Sequence, residues 1–279
     1  MIRFKSFSSG SCGNCYFLGS FAEDGSCSHG VVIDTGVSLR RMKKELERES
    51  LGTGAFSAIL VTHDHMDHVR SLGSWCKHLK KPVWATYTLH GALIHNYMVH
   101  PWINDCRRVL KEDDWNEIIP GHVSVRPFIV PHDATQTCGY AIVIDGYRFV
   151  IMTDIGRMTP EALSYAYNAG TVVVESNYDP DMLIHGSYPY LLKRRIMDGN
   201  GHLSNPECAE AIKQFMHPGL RHIFLCHLSE HNNTPELALE SARGALSEWL
   251  EAHPLPDPSL APWIVALPRE TPSQLFTLD

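Results

Sequence analysis

Four side chains of the kinds that bind metal cations lie within six residues of the sequence, in the segment THDHMDH at positions 62–68. They are His63, His65, Asp67 and His68, and they follow the short apolar run AILV. In a loop after a strand these four side chains cannot all face one point, so a single tetrahedral ion would leave some of them without a role as ligands. If they were left unpaired beside a buried strand, each would carry a desolvation cost of about several kcal/mol. The segment therefore predicts a site for two adjacent metal ions.

Three later segments each place one further candidate ligand directly after an apolar run: VPHDA, MTDIG and LCHLS. The complete predicted ligand set is His63, His65, Asp67, His68, His132, Asp154 and His227. Imidazole and carboxylate groups accommodate either Zn²⁺ or Mn²⁺, so the sequence leaves the choice of metal open. Seven of the other histidines are interpreted as hydrogen-bonded structural residues, namely His29, His78, His90, His95, His100, His217 and His253.

Buried strands that alternate with helices must position these side chains. Apolar, β-branched runs occur at 30–36, 58–63, 148–154, 171–176 and 221–227, and nearly every run ends in Asp, His or Glu. The carboxyl ends of such strands are where α/β proteins place their sites. Helices are predicted after Ser38, Thr159, Ser204 and Thr234, because each offers a capping side chain, and the last three are followed by an early proline and an acidic residue. The chain is therefore predicted to have an α/β fold.

The 279 residues are predicted to form a catalytic domain over 1–252 and a proline-rich connector with a C-terminal tail over 253–279 that packs on the same domain. The tail segment WIVALP is predicted to be a late edge strand. Region 87–117 has the weakest pattern and is expected to contain an insertion or irregular helices.

Composition narrows the classes of function. A net charge of −7 argues against a protein that coats nucleic acid non-specifically, although a local basic patch stays possible. The chain has no apolar run of 18 residues and no signal-peptide pattern, so a cytoplasmic protein without a membrane span is expected. The eight cysteines are scattered and are expected to be reduced, and Cys12 and Cys15 are interpreted as small residues in a tight loop.

The H-x-H-x-D-H segment, with Asp34 before it and His132, Asp154 and His227 after it, resembles the motifs of metallo-β-lactamase-fold hydrolases. This resemblance implies an αβ/βα four-layer sandwich. It implies that His63, His65 and His132 hold one metal, that Asp67, His68 and His227 hold the second, and that Asp154 bridges them. Asp34 would support the site without binding metal, and Asp67 is also a candidate catalytic residue.

Imidazole at position 65 disfavours the flavin-linked di-iron branch of this superfamily, which usually carries Glu there, and favours hydrolysis. Two divalent ions would lower the pKa of a bridging water and polarise the bond under attack.

Three further stretches resemble the YycJ/WalJ family of metallo-β-lactamase-fold nucleases, which is associated with 5′-to-3′ degradation of DNA. They are FSSGSCGNCYFL at 7–18, VVVESNYDPDML with YPYLLKRRI within 172–196, and GHLSNPECAEAI with LCHLSEHNN within 201–233. The chain departs from the family pattern at Tyr178 and His231, and both departures bear on substrate preference.

The GHLS segment is similar to a motif of the related β-CASP nucleases, in which a histidine outside the metal core faces the scissile phosphate. That residue is His202 here, a candidate catalytic residue. Ser204, with Glu207 three residues later, forms a capping-box pattern, and the free N–H groups of a helix start favour an anion. Ser204 is therefore a candidate substrate-binding residue, and the alternative is an ordinary helix cap beside an incidental histidine.

Lys193, Arg194 and Arg195 follow two tyrosines, a combination suited to phosphate contact and base stacking on a single strand. A charge run of this kind alone would indicate a solvated helix face. The family resemblance favours substrate binding instead.

The sequence thus predicts a metal-dependent phosphodiesterase that acts on nucleic acid, specifically a 5′-to-3′ DNA exonuclease that uses hydroxide activated by two divalent ions, Zn²⁺ or Mn²⁺. One alternative is a small-molecule hydrolase of thioesters, lactones or cyclic phosphodiesters, which the same ligands would serve. A binding protein without turnover is a further alternative, and the intact ligand set argues against it.

Overall fold

Two seven-stranded sheets lie face to face in the computed structural model, which describes residues 1–279. The strands are β1 (Ile2–Gly10), β2 (Gly13–Phe21), β3 (Cys27–Ile33), β4 (Ala58–Leu60), β5 (Val83–Thr86), β6 (Arg107–Leu110), β7 (Asn116–Ile119), β8 (Val123–Val130), β9 (Thr137–Ile144), β10 (Tyr147–Met152), β11 (Thr171–Glu175), β12 (His222–Cys226), β13 (Trp263–Ala266) and β14 (Phe276–Thr277). The first sheet has the order β14-β1-β2-β3-β4-β5-β6, and the second has the order β13-β12-β11-β10-β9-β8-β7.

Both sheets are mixed. In the first, the neighbours from β14 through β1 and β2 to β3 pair antiparallel, and β3 through β6 run parallel. In the second, β7 through β10 are antiparallel and β10 through β13 are parallel. The parallel halves bring the carboxyl ends of several strands to one rim of the sandwich.

Ten α-helices and two short 3₁₀ helices, at Thr53–Ala55 and Pro258–Leu260, connect the strands. The α-helices are α1 (Leu39–Arg48), α2 (Met66–Val69), α3 (Leu72–Leu79), α4 (Tyr87–Leu93), α5 (His100–Ile103), α6 (Pro160–Ala166), α7 (Pro180–His185), α8 (Tyr190–Met197), α9 (Asn205–Phe215) and α10 (Pro235–Ala252). None of the ten combines the length and the apolar character that a membrane span requires.

Three apolar layers hold the structure together, and the alternation of side chains along the strands builds them. In β11, Val173 points into the core between the two sheets, whereas Val172 and Val174 pack beneath the helices on the outer face. Helices α6, α9 and α10 cover the second sheet, and α1, α3 and α4 cover the first. The result is the predicted αβ/βα four-layer sandwich.

The predicted strands and helices are all present. The apolar runs form β3, β4, β10, β11 and β12, and α1, α6, α9 and α10 begin at the predicted caps, where each capping side chain accepts a hydrogen bond from the backbone three residues later. The run at 58–63 is shorter than predicted, because the chain leaves the sheet after Leu60. The segment WIVALP supplies the edge strand β13.

Two regions differ from the sequence interpretation. The first 21 residues form the nearly fully buried hairpin β1–β2, although their Ser- and Gly-rich middle reads as a loop. Region 87–117 contains the short helices α4 and α5, as expected, but its second half forms β6 and the first two residues of β7. All eight cysteines are free, with Cys12 exposed in the turn between β1 and β2 and Cys15 buried in β2.

Candidate metal centre

The predicted ligands come together at the rim where the carboxyl ends of β3, β4, β10 and β12 meet. His63 and His65 lie between β4 and α2, and Asp67 and His68 occupy the first turn of α2. Asp34 and His227, which directly follow β3 and β12, have left-handed backbone conformations with φ of 59° and 54°. Aspartate and histidine tolerate this conformation better than most residues. These bends direct the chain out of each sheet at the site.

His63, His65 and His132 form one group in which the candidate ligand atoms all lie within 4.8 Å of one another. His132 Nδ1 donates to the Gly201 carbonyl at 2.7 Å, which leaves Nε2 free to bind, and that atom is 3.3 Å from His65 Nδ1. His63 Nε2 is buried and makes no hydrogen bond. This is the set that the resemblance assigns to one metal.

Asp67, His68 and His227 form a second group of the same size. His68 Nδ1 donates to Asp34 Oδ2 at 2.7 Å, and His227 Nδ1 donates to Glu175 Oε1 at 3.0 Å. Each ring therefore presents Nε2 as its free nitrogen, and His227 Nε2 lies 3.5 Å from Asp67 Oδ2. Asp34, predicted to support the site without binding metal, is fully buried and oriented toward His68.

Asp154 lies between the two groups. It belongs to a donor group with His63 and His68, one member from each set. Its Oδ2 is 3.1 Å from His68 Nε2, and its Oδ1 is 3.7 Å from His132 Nε2. This position is compatible with the bridging role predicted for Asp154.

The chemistry of the donors fits divalent cations. Three buried atoms of the overlapping groups make no hydrogen bond: His63 Nε2, Asp154 Oδ2 and His227 Nε2. Unpaired buried polar atoms are costly, and a shared cation would satisfy all three. Burial lowers the pKa of His68, but Asp154, Asp34 and Asp67 outweigh it and raise that pKa to about 10, so the centre carries a negative field that favours cations.

Glu175, at the end of β11, is a central residue of the site that the sequence prediction missed. It is fully buried and accepts hydrogen bonds from Ile155 N at 2.9 Å, Leu203 N at 3.1 Å, His202 Nδ1 at 2.7 Å and His227 Nδ1 at 3.0 Å. Burial opposes its ionisation, but the charge and hydrogen bond of His202 and the hydrogen bond of His227 lower its pKa. A signal was present, because the predicted strand at 171–176 carries this glutamate near its end.

His202 lies beside the two ligand groups and lines the same cavity, with 22% of its side chain exposed. Since Nδ1 donates to Glu175, Nε2 is the nitrogen left for a substrate. Burial lowers the pKa of His202, but the Glu175 charge outweighs it and the net direction is upward.

Ser204 caps helix α9 as predicted. Its hydroxyl accepts from Glu207 N at 3.3 Å and donates to Glu207 Oε2 at 2.6 Å, and the same carboxylate accepts from Ser204 N, which completes the capping box. Ser204 is buried, so its role in substrate binding stays a prediction.

A cavity of about 330 Å³ opens over the centre. Its lining includes the candidate ligands His65, Asp67, Asp154 and His227 together with His202. Tyr188, Leu192 and Arg195 also line it. The volume is at the lower end of the range for ligand pockets.

The three basic residues of α8 have different surroundings. Arg195 lines the cavity, is 60% exposed and pairs with Asp133. Lys193 donates from Nζ to the carbonyls of Ile184 and Gly186, both at 2.8 Å. Arg194 lies over the Tyr190 ring, 6.0 Å from its centroid. Only Arg195 of the three is part of the cavity wall, and substrate binding by all three stays a prediction.

Two more residues next to the ligands were not foreseen. Asp133 Oδ1 lies 3.5 Å from His132 Nε2 and 3.8 Å from His65 Nε2. Asn14, in the buried strand β2, places Nδ2 2.8 Å from His68 Nε2 and 3.2 Å from Asp67 Oδ2. Asp133 directly follows His132 in the segment VPHDA but was not singled out as a candidate ligand, and Asn14 does not follow a predicted strand.

Comparison with known proteins gives a consistent result. A family model described as the beta-lactamase superfamily domain matches residues 29–227. The chain is 30% identical over 247 residues to an exodeoxyribonuclease YycJ of Bacillus anthracis, which covers 88% of this chain and 90% of that protein. It is 28% identical over 237 residues to an exodeoxyribonuclease WalJ of Streptococcus pneumoniae, with 85% of each chain covered.

Solved structures show the same fold. The metallo-beta-lactamase fold protein YhfI from Bacillus subtilis superposes with a TM-score of 0.66 at 15% identity, over 98% of each chain. At this identity the likeness concerns the fold alone.

Proposed function

From its membership of the β-lactamase superfamily, within the family of the YycJ and WalJ proteins, we propose that the chain is a 5′-to-3′ DNA exonuclease. The same membership makes it a metal-dependent hydrolase. The observation that carries the proposal is the position of His202, which is held by the buried Glu175 carboxylate and lies outside the two ligand sets that the resemblance implies. His202 also belongs to a possible donor group with Asp154, Glu175 and His227, so the test below must separate a substrate donor from a ligand. A generic hydrolase of this fold needs the ligands alone. An additional donor facing the cavity suits a phosphodiester, whose oxygens carry negative charge.

The geometry supports the following roles for the residues, which the family resemblance implies. When bound, two divalent ions would lower the pKa of water and neutralise charge on the phosphate under attack. His63, His65 and His132 would hold one ion, Asp67, His68 and His227 the other, and Asp154 both. Asp67 also lines the cavity, where its carboxylate can orient the attacking water.

His202 would donate a hydrogen bond from Nε2 to the scissile phosphate. Glu175 keeps the hydrogen of His202 Nδ1 engaged, so the ring has one orientation, and the same carboxylate orients His227. This arrangement couples a candidate ligand and a candidate substrate donor to one buried charge, and transition-state stabilisation depends on such preorganised donors.

The cavity supports action at a chain end. Its volume of about 330 Å³ suits a terminal nucleotide better than the body of a duplex. Tyr188, on the cavity wall, offers a ring on which a base can stack, and Arg195 offers a guanidinium for a phosphate. The family relationship to proteins named exodeoxyribonucleases supports DNA as the substrate.

The decisive test compares His202→Ala with His132→Ala. We expect His202→Ala to keep the wild-type metal content while turnover of a 5′-labelled oligonucleotide in Mn²⁺ or Zn²⁺ falls about 10²-fold, the scale of losing one transition-state donor. His132→Ala should lose metal and turnover together, because its imidazole is a predicted ligand. Metal loss in His202→Ala would make that residue a ligand, and unimpaired cleavage would remove it from the mechanism.

One observation favours a second candidate, a hydrolase of small phosphodiesters. The net charge of the chain is −7, Lys193 donates to backbone carbonyls, and Arg195 is paired with Asp133. Few basic side chains near the cavity are therefore available to bind the phosphates of a long nucleic acid. A chromogenic phosphodiester and a thioester belong in the same assay. Cleavage of the small phosphodiester, without cleavage of oligonucleotides from either the 5′ or the 3′ end, would favour this second candidate.

A further inference from the structure

A separate group of metal-binding side chains lies at the end of the sandwich opposite the candidate metal centre. His29 is in the first half of β3, His122 directly precedes β8, and Asp145 is in the turn between β9 and β10. The strands β3 and β9 reach the metal centre with their other ends, at Asp34 and near Thr62. The group therefore joins the first sheet to the second at the far rim.

The fold holds these three residues firmly. His29 points to the inner face of the first sheet, because Val31 and Ile33, two and four residues later, lie in the core between the sheets. Asp145 and Gly146 both have positive φ, 46° and 83°, as a two-residue type I′ hairpin turn requires. The backbone N–H of Asp145 donates to the His122 carbonyl at 2.9 Å, which fixes the turn against the start of β8.

The distances match the size of a metal site. His29 Nε2 lies 3.0 Å from Asp145 Oδ2, and His122 Nδ1 lies 2.9 Å from Asp145 Oδ1. The two imidazole rings are 4.3 Å apart between centroids, and the three ligand atoms all lie within 4.8 Å of one another. Donor atoms around a tetrahedral Zn²⁺ are about 3.3 Å apart, so the two distances between imidazole and carboxylate are already close to those around a bound ion.

The protein alone leaves this group incompletely satisfied. His29 Nε2 is buried and makes no hydrogen bond, because it is close to the Asp145 carboxylate but not aligned with it. Burial opposes ionisation of Asp145, but hydrogen bonds from Ser20 and His122 outweigh it and lower its pKa, so the carboxylate is an anion. A buried nitrogen that makes no hydrogen bond and a carboxylate anion therefore lie 3.0 Å apart.

We propose that His29, His122 and Asp145 form a third divalent-metal site, of the Zn²⁺ class, that links the two sheets. Two imidazoles and one carboxylate suit Zn²⁺ better than Mg²⁺ or Ca²⁺. Half of the His122 side chain is exposed, so water completes the coordination and the ion enters from solvent. The site is independent of the proposed nuclease activity, and it revises the interpretation of His29 as an ordinary structural histidine.

The test uses His122→Ala and Asp145→Asn in the full chain. His122 is half exposed, and asparagine tolerates the left-handed turn conformation of Asp145, so both variants should fold. His253→Ala is the matched control, because it removes an exposed histidine from the connector near α10. Each protein is stripped with a chelator and dialysed against the same buffered free Zn²⁺, and bound zinc is measured by mass spectrometry.

We expect the wild type and His253→Ala to bind equal amounts, and His122→Ala and Asp145→Asn each to bind one equivalent less. Oligonucleotide or phosphodiester turnover should be unchanged in all four proteins, because none of the three residues lines the catalytic cavity. Equal zinc content in all four proteins would overturn the proposal. A loss of catalytic metal instead would appear as lost turnover and would also overturn it.

Discussion

Each candidate ligand histidine with a defined partner uses Nδ1 as a donor and keeps Nε2 for the centre. Asp34 accepts from His68, Glu175 accepts from His227, and the Gly201 carbonyl accepts from His132. Acceptors of this kind fix the tautomer and orientation of metal-binding imidazoles, and their loss commonly lowers affinity or activity about 10–100-fold. The negative charge of the site therefore lies partly behind the ligands, where it orients them.

Glu175→Gln tests this arrangement at its most connected residue. A glutamine keeps the volume but turns an NH₂ group toward donors, since Ile155 N, Leu203 N and both histidines donate to this side chain. We expect turnover to fall about 10–100-fold and unfolding free energy to fall by about 1–3 kcal/mol. Steady-state kinetics, metal content and thermal melting measure the three quantities.

Glu207→Gln is the matched control for that experiment, because Glu207 is exposed and caps α9 through Ser204 without touching the cavity lining. It should keep nearly full turnover. If both variants lose activity equally, the effect comes from the position of α9, and the orienting role of Glu175 is wrong.

The ligand segments were predictable because each follows a buried strand, and strand ends converge in α/β folds. Glu175 met the same condition, but nothing in the sequence showed that it faces two histidines 27 and 52 residues away. Asn14 was hidden for another reason. It lies in a Ser- and Gly-rich stretch that resembles a loop, and only the pairing of β1 with β2 makes it a buried strand.

At the scale of elements, the basic residues of helix α8 have two different roles, one in helix packing and one at the cavity. Lys193 donates hydrogen bonds to two backbone carbonyls at the end of α7, whereas Arg195 lines the cavity. Arg195→Ala should weaken oligonucleotide binding and reduce the slope of log K against log salt by about one unit, as for one lost phosphate contact. Lys193→Ala should lower the melting temperature with a smaller effect on that slope.

Fluorescence anisotropy of a labelled oligonucleotide at several salt concentrations measures both variants and the Lys193/Arg194/Arg195 triple alanine variant. An unchanged slope in the triple variant would show that the basic run is only a solvated helix face.

Asp145, in the turn between β9 and β10, should make the free energy of unfolding depend on pH. The pKa of Asp145 is lowered in the fold, so its ionised form contributes stability above the unfolded pKa of about 3.9, and this contribution disappears as pH falls through the lower folded value. In chelator, Asp145→Asn should melt about 1 °C below the wild type at pH 6 to 8, a small effect because the side chain is 35% exposed. The two melting curves should coincide once the pH is below the folded pKa of Asp145. A difference that persists at the acidic end would contradict the electrostatic origin.

At the scale of the whole molecule, the candidate centre requires both sheets. His63, His65, Asp67 and His68 follow β4 of the first sheet, whereas His132, Asp154 and His227 follow strands of the second. The two sets meet only because the apolar core between the sheets holds them together. Sequence patterns identify strands but not which faces pack, so the division of the ligands between the sheets could not be predicted from spacing alone.

The C-terminal tail contributes an edge strand to each sheet. Within 253–279, β13 extends the second sheet and β14 extends the first. Lys5 Nζ donates to the Ser273 carbonyl at 2.8 Å, and the Tyr147 hydroxyl donates to the Leu278 carbonyl at 3.0 Å. These contacts lead us to propose that the tail unfolds together with residues 1–252 as one cooperative unit.

Leu278→Ala tests that proposal. Leu278 is 1% exposed and belongs to the core between the sheets, so its truncation should cost about 2–3 kcal/mol and lower the melting temperature by about 3–5 °C, with the single transition retained. Leu260→Ala, at a 36% exposed leucine of the same connector, should melt close to the wild type. Differential scanning calorimetry distinguishes the outcomes. A separate low-temperature transition in either protein, or a Leu278→Ala melt within about 1 °C of the wild type, would mean that the tail is an appendage whose packing the two sheets do not need.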